Sequence, residues 1–221
     1  MLNSEILAFL AELKNNNHKL WFDANRSWYL EVKAQFEAFV EALIIRMGVH
    51  DPDLAYLTVR DCTYRIYRDV RFSPDKTPYK TNMGCYLVKG GKKSPLAGYY
   101  FHVEPGNSMI AGGLWMPQPP LLKKIRWGIY ENIDEFLSII NDPAFSKFFP
   151  KIDEDAVLSR PPRDFPADFP HIHLLKFKSY TVSHPLSDNE VLAPDLIDRV
   201  TEAFCLIKPL NHFFNRIIEE G

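Results

Sequence analysis

The stretch Arg65-Ile66-Tyr67-Arg68-Asp69-Val70-Arg71-Phe72-Ser73-Pro74-Asp75-Lys76-Thr77-Pro78-Tyr79-Lys80-Thr81-Asn82 concentrates the unusual chemistry of the chain. From Tyr64 to Phe72 it is rich in aromatic and β-branched residues, contains no Gly or Pro, and stops at the turn signal Ser73-Pro74-Asp75-Lys76. That pattern predicts a strand feeding a loop. Alternate residues of a strand share a face, so Tyr64, Ile66, Val70 and Phe72 stand with Arg68, and Arg65, Tyr67, Asp69 and Arg71 stand opposite. A guanidinium on the apolar face needs a fixed partner, a carboxylate or a ligand oxyanion, because a buried unpaired charge costs several kcal/mol.

Working outward, loop 73–81 leads into a strand over Met83–Val88. Turns at Gly90-Gly91-Lys92-Lys93 and Ser94-Pro95 bring the chain into Gly98–Val103, and Pro105-Gly106-Asn107 turns it into Met109–Trp115. A last strand over Leu174–Val182 completes an antiparallel meander of about five strands. Before the motif, Ser4 or Asn3 caps a helix to about Lys14, with Ile6, Leu10 and Leu13 on one side. Asn17 then caps a long helix from His18 to about Met47, marked by Phe22, Tyr29, Phe36 and Leu43 at seven-residue spacing. After the meander, Leu121–Ile140 reads as one or two helices broken near Gly128 or Asn132, and Asp142-Pro143 opens a short helix to Phe149. The proline-rich 150–170 segment reads as an ordered loop. Ser187-Asp188-Asn189-Glu190 fits a capping box ahead of a helical region that Pro209 kinks or splits. The sum is an α+β fold over residues 1–221 as a single domain, its meander packed with a long N-terminal helix and C-terminal helices.

The motif also carries a likeness. It matches R-x-x-R-D-x-R-F-x-x-x-K-x-P-Y-K-x-N position for position and so resembles a bacterial and fungal family of conserved hypothetical proteins, a domain of unknown function. Further segments look like the family: Phe9-Leu10, Asn16-Asn17, Trp21-Phe22 with Asn25-Arg26 and Tyr29, Gly112-Gly113-Leu114-Trp115-Met116-Pro117, and Leu175-Lys176 with Lys178-Ser179-Tyr180. The resemblance implies membership and an α+β fold but no activity. Function has to be argued from the residues.

Charge is unevenly spread. Between Arg60 and Lys93 nine basic and three acidic residues give a net of +6, so a chain of formal charge −2 carries −8 elsewhere. A basic segment in an acidic protein points to a local anion site and speaks against a broad nucleic-acid surface. Cys62, Cys85 and Cys205 are widely spaced and form no CxxC pair, which points to a reducing compartment rather than a disulfide framework. Met1-Leu2-Asn3-Ser4-Glu5 lacks a basic and then apolar leader, and no apolar run approaches the ~18 residues of a membrane span. We therefore expect a cytoplasmic protein without membrane contact.

The chain has no GxxxxGK[ST], GxGxxG, GxSxG or HExxH motif. No cofactor is implied, and whether the protein is an enzyme stays open. His171 and His173 could face a metal from one strand, but no third ligand accompanies them, and no metal site is assigned. On the third strand Tyr100, His102 and Glu104 share a face, where an imidazole beside a carboxylate can transfer protons near neutral pH. Three readings result. The first is a pocket for an anionic small molecule, a phosphate ester or carboxylate, lined by Arg65, Arg68, Arg71, Lys76, Tyr79, Lys80 and Asn82, with Arg26 at a helix start, and with His102 or Asp69 handling protons. Replacing Arg71 with Ala should then abolish binding. The second is a non-enzymatic interaction module whose motif is an internal salt-bridge network locking loop 73–81, where Arg68→Ala should cost several kcal/mol. The third is single-stranded nucleic-acid binding through Tyr64, Tyr67 and Tyr79.

Overall fold

Asn3 opens the first helix, α1 (Ser4–Asn15), by accepting the Glu5 amide on its side chain, and the helix buries Ile6, Leu10 and Leu13 as its spacing requires. The long helix expected next is two. α2 (Lys19–Ala24) is capped by the imidazole of His18 rather than by Asn17, and α3 (Arg26–His50) follows after a break at Asn25. The Asn25 side chain donates to the Trp21 carbonyl at 2.9 Å, a local bond that competes with continued helix. The apolar stripe survives this break, with Phe22, Val32, Phe36, Phe39, Val40, Leu43 and Met47 all buried. In this computed structural model, which describes residues 1–220, the elements make an α+β fold.

The sheet has four strands, not about five: β1 (Met83–Leu87), β2 (Gly98–Val103), β3 (Ser108–Leu114) and β4 (Tyr180–Leu186), antiparallel in the order β1-β2-β3-β4. The missing strand is the motif itself. After the short α4 (Val59–Cys62), residues 64–72 form no strand, and only Thr63 and Tyr67 make isolated bridges, to Cys85 and Tyr79. Two causes are visible. Pro74 and Pro78 carry no N–H for a ladder, and the carboxylates of Asp69 and Asp75 take the amides of Arg71 and Thr77, folding the backbone locally instead. The face pattern fails with the strand, since Phe72 is 93% exposed and Tyr64 is exposed.

The last strand starts later than its composition indicates. Leu174 and Leu175 are both buried, which alternation forbids, and they lie in a 3₁₀ turn over Ile172–Lys176. The remaining helices are α5 (Pro119–Glu131) and α6 (Ile133–Ile140), broken at Asn132, then α7 (Pro143–Phe148), α8 (Asp188–Val191) with its Ser187–Glu190 capping box, and α9 (Leu196–Glu219), which carries Pro209 inside. The 150–170 segment is pinned by backbone bonds from Asp153 to Thr181 and from Leu158 to Lys176. No helix among the described residues is long and apolar enough to cross a membrane.

The chain divides into two compact units. One holds Met1–Lys93, Tyr100–Ile110 and Pro185–Glu202. There α3 sets Phe36 and Phe39 against Phe101 of β2, with ring centroids 6.4 and 5.1 Å apart. The other holds Ser94–Tyr99, Ala111–His184 and the chain from Ala203 onward. Its core gathers Phe136, Tyr180, Phe213 and Phe214. All of the motif lies in the first unit.

Candidate functional site

The motif stands on a two-rung base. Arg68 donates its amide to Pro78 at 2.9 Å and Lys80 donates to Ile66 at 2.8 Å, which pairs Tyr67 with Tyr79. The amide and carbonyl of Tyr79 therefore point the other way, and the Asn17 side chain takes both, at 3.1 and 3.0 Å, as a neighbouring strand would. Below this pair the Tyr79 ring stacks on Phe22 at 4.1 Å, with Tyr67 and Tyr29 around them. Burial holds the Tyr29 phenol up at about 12 and raises that of Tyr79.

Beyond the Arg68–Pro78 rung, loop 69–77 uses its charges on itself. Arg68 pairs with Asp75 and bonds Thr77. The Asp75 carboxyl is pulled down to about 2 by the Thr77 amide, by Arg68 and by the Thr77 hydroxyl. Arg71 forks onto Asp69, with Nε at 2.9 Å and Nη2 at 2.6 Å, and Lys76 donates to the Val70 carbonyl at 2.9 Å. Arg68 thus finds the carboxylate partner its sequence called for, but within the loop. Its side chain is 25% exposed and that of Asp75 57%, so breaking the pair is a surface-like loss and not the several kcal/mol of a buried charge.

Two motif cations are not used this way. Lys80 lies half-buried with Nζ 5.1 Å from the Tyr64 ring centroid, and Arg65 is exposed. Neither forms a salt bridge among the described residues. Burial, and next the charge of Arg65, depress the Lys80 ammonium below its usual range. Two neighbouring positive charges without a carboxylate between them favour an anion at that place.

The residue after Lys80 ties this pair to β2. Thr81 donates to Glu104 Oε1 at 2.7 Å, and Asn107 donates to Oε2 at 3.0 Å. Glu104 Oε2 lies 3.3 Å from His102 Nε2, and His102 Nδ1 lies 2.9 Å from the Tyr100 hydroxyl. The result is a chain from Thr81 through Glu104 and His102 to Tyr100. Burial pushes the Glu104 carboxyl up, but its three hydrogen bonds together outweigh that and hold it below the carboxylate range. Burial keeps His102 below its usual value despite Glu104. Gly84 makes room for the chain's end, since a Cβ there would meet the Tyr100 hydroxyl at 2.9 Å.

The candidates from sequence therefore separate into groups. Arg68, Arg71, Lys76 and Asp69 belong to the loop, Tyr79 to its base, and Lys80 stands at the Tyr64 ring with Arg65 as its nearest charge. Asn82 is half-buried and its amide makes no hydrogen bond among the described residues, and Arg26 stands exposed in the first turn of α3. Thr81 and Gly84 were not legible as site residues. A Thr in a lysine-rich loop and a Gly in a strand acquire meaning only once β1 and β2 are paired.

Elsewhere, Cys62 and Cys85 are buried free thiols, and burial pushes Cys62 up to about 12, so neither is set up as a thiolate nucleophile. The His171 and His173 rings lie 6.3 Å apart, and no group of three or more His, Cys, Asp or Glu among the described residues could hold a metal ion. An open groove along α3 is lined by Ile44, Ile45, Gly48, Val49 and Leu57 and contains none of the motif.

No curated protein and no solved structure matches this chain. Residues 5–213 match the model of a conserved hypothetical protein family, DUF2461, which spans both units described above. The chain belongs to the DUF2461 family of conserved hypothetical proteins.

Proposed function

We propose that the motif builds a binding site for an anionic small molecule, a phosphate ester or carboxylate, at Arg65 and Lys80, with the His102 chain positioned to move a proton. The observation that carries the reading is the pairing pattern. Arg68 and Arg71 are neutralised by Asp75 and Asp69, while Arg65 and Lys80 form no salt bridge among the described residues, and burial, with the charge of Arg65 adding to it, lowers the lysine's proton affinity. A bound anion relieves that repulsion, and the arginine fork and lysine point charge supply orientation and affinity. Protons go to His102 in this reading, because Asp69 is an exposed carboxylate held low by Arg71.

The test is a thermal-melt screen against inorganic phosphate, sugar phosphates, nucleotides, carboxylates and short oligonucleotides, on the parent chain and on Lys80→Ala. A ligand at a hundred times its dissociation constant adds about 2.7 kcal/mol, which raises Tm by several degrees at roughly 2–4 °C per kcal/mol. Support is a rise with phosphates or carboxylates that the variant loses. Flat curves for both proteins count against the reading.

The loop contacts favour a second reading, a non-enzymatic interaction module in which the motif serves only to lock residues 69–77. It accounts for Arg68, Arg71 and Lys76 but leaves Arg65, Lys80 and the buried His102 without a purpose. A nucleic-acid reading is weaker still, because the Tyr79 ring is 4% exposed and already stacked on Phe22.

A further inference from the structure

Lys80 is the motif lysine whose amine nothing accepts from. Lys76 donates to the Val70 carbonyl and Lys92 to the Arg60 carbonyl. Lys80 makes no hydrogen bond or salt bridge through Nζ among the described residues. It lies half-buried, with Nζ 5.1 Å from the Tyr64 ring centroid. The position is fixed from the backbone, where the Lys80 amide donates to Ile66 at 2.8 Å. An ammonium has three donors, and a ring face offers them attraction but no lone pair.

We infer that Lys80 is a nucleophilic amine that condenses with the carbonyl of an oxo acid, Arg65 meeting the carboxylate of the same ligand. A half-buried lysine beside a second cation, with no acceptor on its nitrogen, has an amine lone pair open to a carbonyl. In the step, Nζ bonds to the carbonyl carbon as the C=O opens, and the carbinolamine then loses its oxygen as water. Overall an ammonium and a carbonyl compound give an iminium and one water, the two lost N–H hydrogens leaving with the carbonyl oxygen. Oxidation states do not change and no cofactor is needed. The iminium is still a cation, so condensation keeps a positive charge near the carboxylate. This inference rests on the anion-site reading for its carboxylate, and of the anions considered there it selects carboxylates over phosphate esters; the reactivity of the amine does not rest on it.

The surroundings of Lys80 suit this chemistry. Burial, and after it the charge of Arg65, makes its ammonium easier to deprotonate than an ordinary lysine. The Tyr64 ring works the other way, since its face attracts the charged form. Burial also raises the Tyr64 phenol, so the ring beside Nζ is uncharged. Glu104, bonded to Thr81 next in the chain, has its oxygens taken by Thr81, Asn107 and His102 and forms no salt bridge with Lys80.

The test begins with the parent chain, so no variant has to fold. Pyruvate and sodium cyanoborohydride are added at neutral pH, the hydride fixes any iminium as a secondary amine, and peptide mass mapping locates the labelled lysines. Lys80 should label ahead of Lys76, Lys92 and the exposed Lys93. A label spread evenly over these lysines, or missing from Lys80, overturns the inference. If carboxylates nonetheless raise Tm, the anion site stands without it. Methyl pyruvate, the neutral ester, supplies a second arm with Lys93 as the internal reference. Relative to Lys93, Lys80 should prefer pyruvate to the ester, and Arg65→Ala should lose that preference while Lys80 still labels. A preference that survives Arg65→Ala overturns the part given to Arg65. No preference in the parent overturns the oxo-acid assignment, and the anion site with it.

Discussion

Within one unit the motif makes two regions of opposite economy. Loop 69–77 has as much charge as any part of the chain, yet its cations face its own acids or carbonyls: Arg68 to Asp75, Arg71 to Asp69, Lys76 to Val70. Around Lys80 the charges are fewer, and neither Lys80 nor Arg65 forms a salt bridge among the described residues. Burial, and after it the charge of Arg65, lowers the proton affinity of Lys80, while the Glu104 carboxylate is committed to Thr81, Asn107 and the His102 imidazole. A dense array of arginines is therefore a poor guide to where a ligand sits, and the unneutralised pair is the better one.

The comparison can be broken most severely at its shared base. Phe22 supports the Tyr79 pair from which both regions extend, and Phe22→Ala should cost about 3–5 kcal/mol of stability by chemical denaturation. Both regions should be lost together. Lys80→Ala should leave the melting temperature near that of the parent but weaken phosphate binding by about 10- to 100-fold, the worth of a charge-assisted hydrogen bond. An Arg68→Ala chain should show the reverse, with binding kept and a fall of at most about 4 °C in Tm, as suits a partly exposed pair. Arg71→Ala, whose guanidinium is 76% exposed against Asp69, should change neither.

Acid separates the regions by pH. His102 has a depressed folded value, so the unfolded chain takes up this proton first; stability present above about 6.5 is lost as the pH falls through that lowered value. In His102→Gln this upper limb of a pH–stability curve should vanish. Asp75 contributes at lower pH: its stabilisation is present above its ordinary value of 3.8 and is lost as the pH falls toward about 2. Asp75→Asn should shrink that lower limb, to which Glu190, also held down to about 2, contributes, and leave the upper one intact.

How much of this was legible in the sequence depended on which interaction decided each segment. The α3 stripe is periodic and burial followed the period there, whereas alternation put Tyr100, His102 and Glu104 on one face but did not show that β2 is buried on both faces. The need of Arg68 for a carboxylate was also readable, because electrostatics demands a partner whatever the fold. The strand at 64–72 was misread since its β-forming composition lost to Asp69, Asp75 and two prolines, which bend the backbone locally. Asn25 likewise split a helix whose apolar spacing runs straight through it. What the sequence could not show was which cation had no partner, as that depends on Thr81 reaching Glu104 and on Arg65 standing near Lys80, both products of tertiary pairing.

The most direct test of the central claim is a titration of ¹⁵N-labelled protein with inorganic phosphate, followed at the backbone amides. Our account expects the shifts to concentrate at 64–65, 79–82 and 100–104, leaving 69–77 still. Shifts concentrated in the loop, or none anywhere, would contradict it.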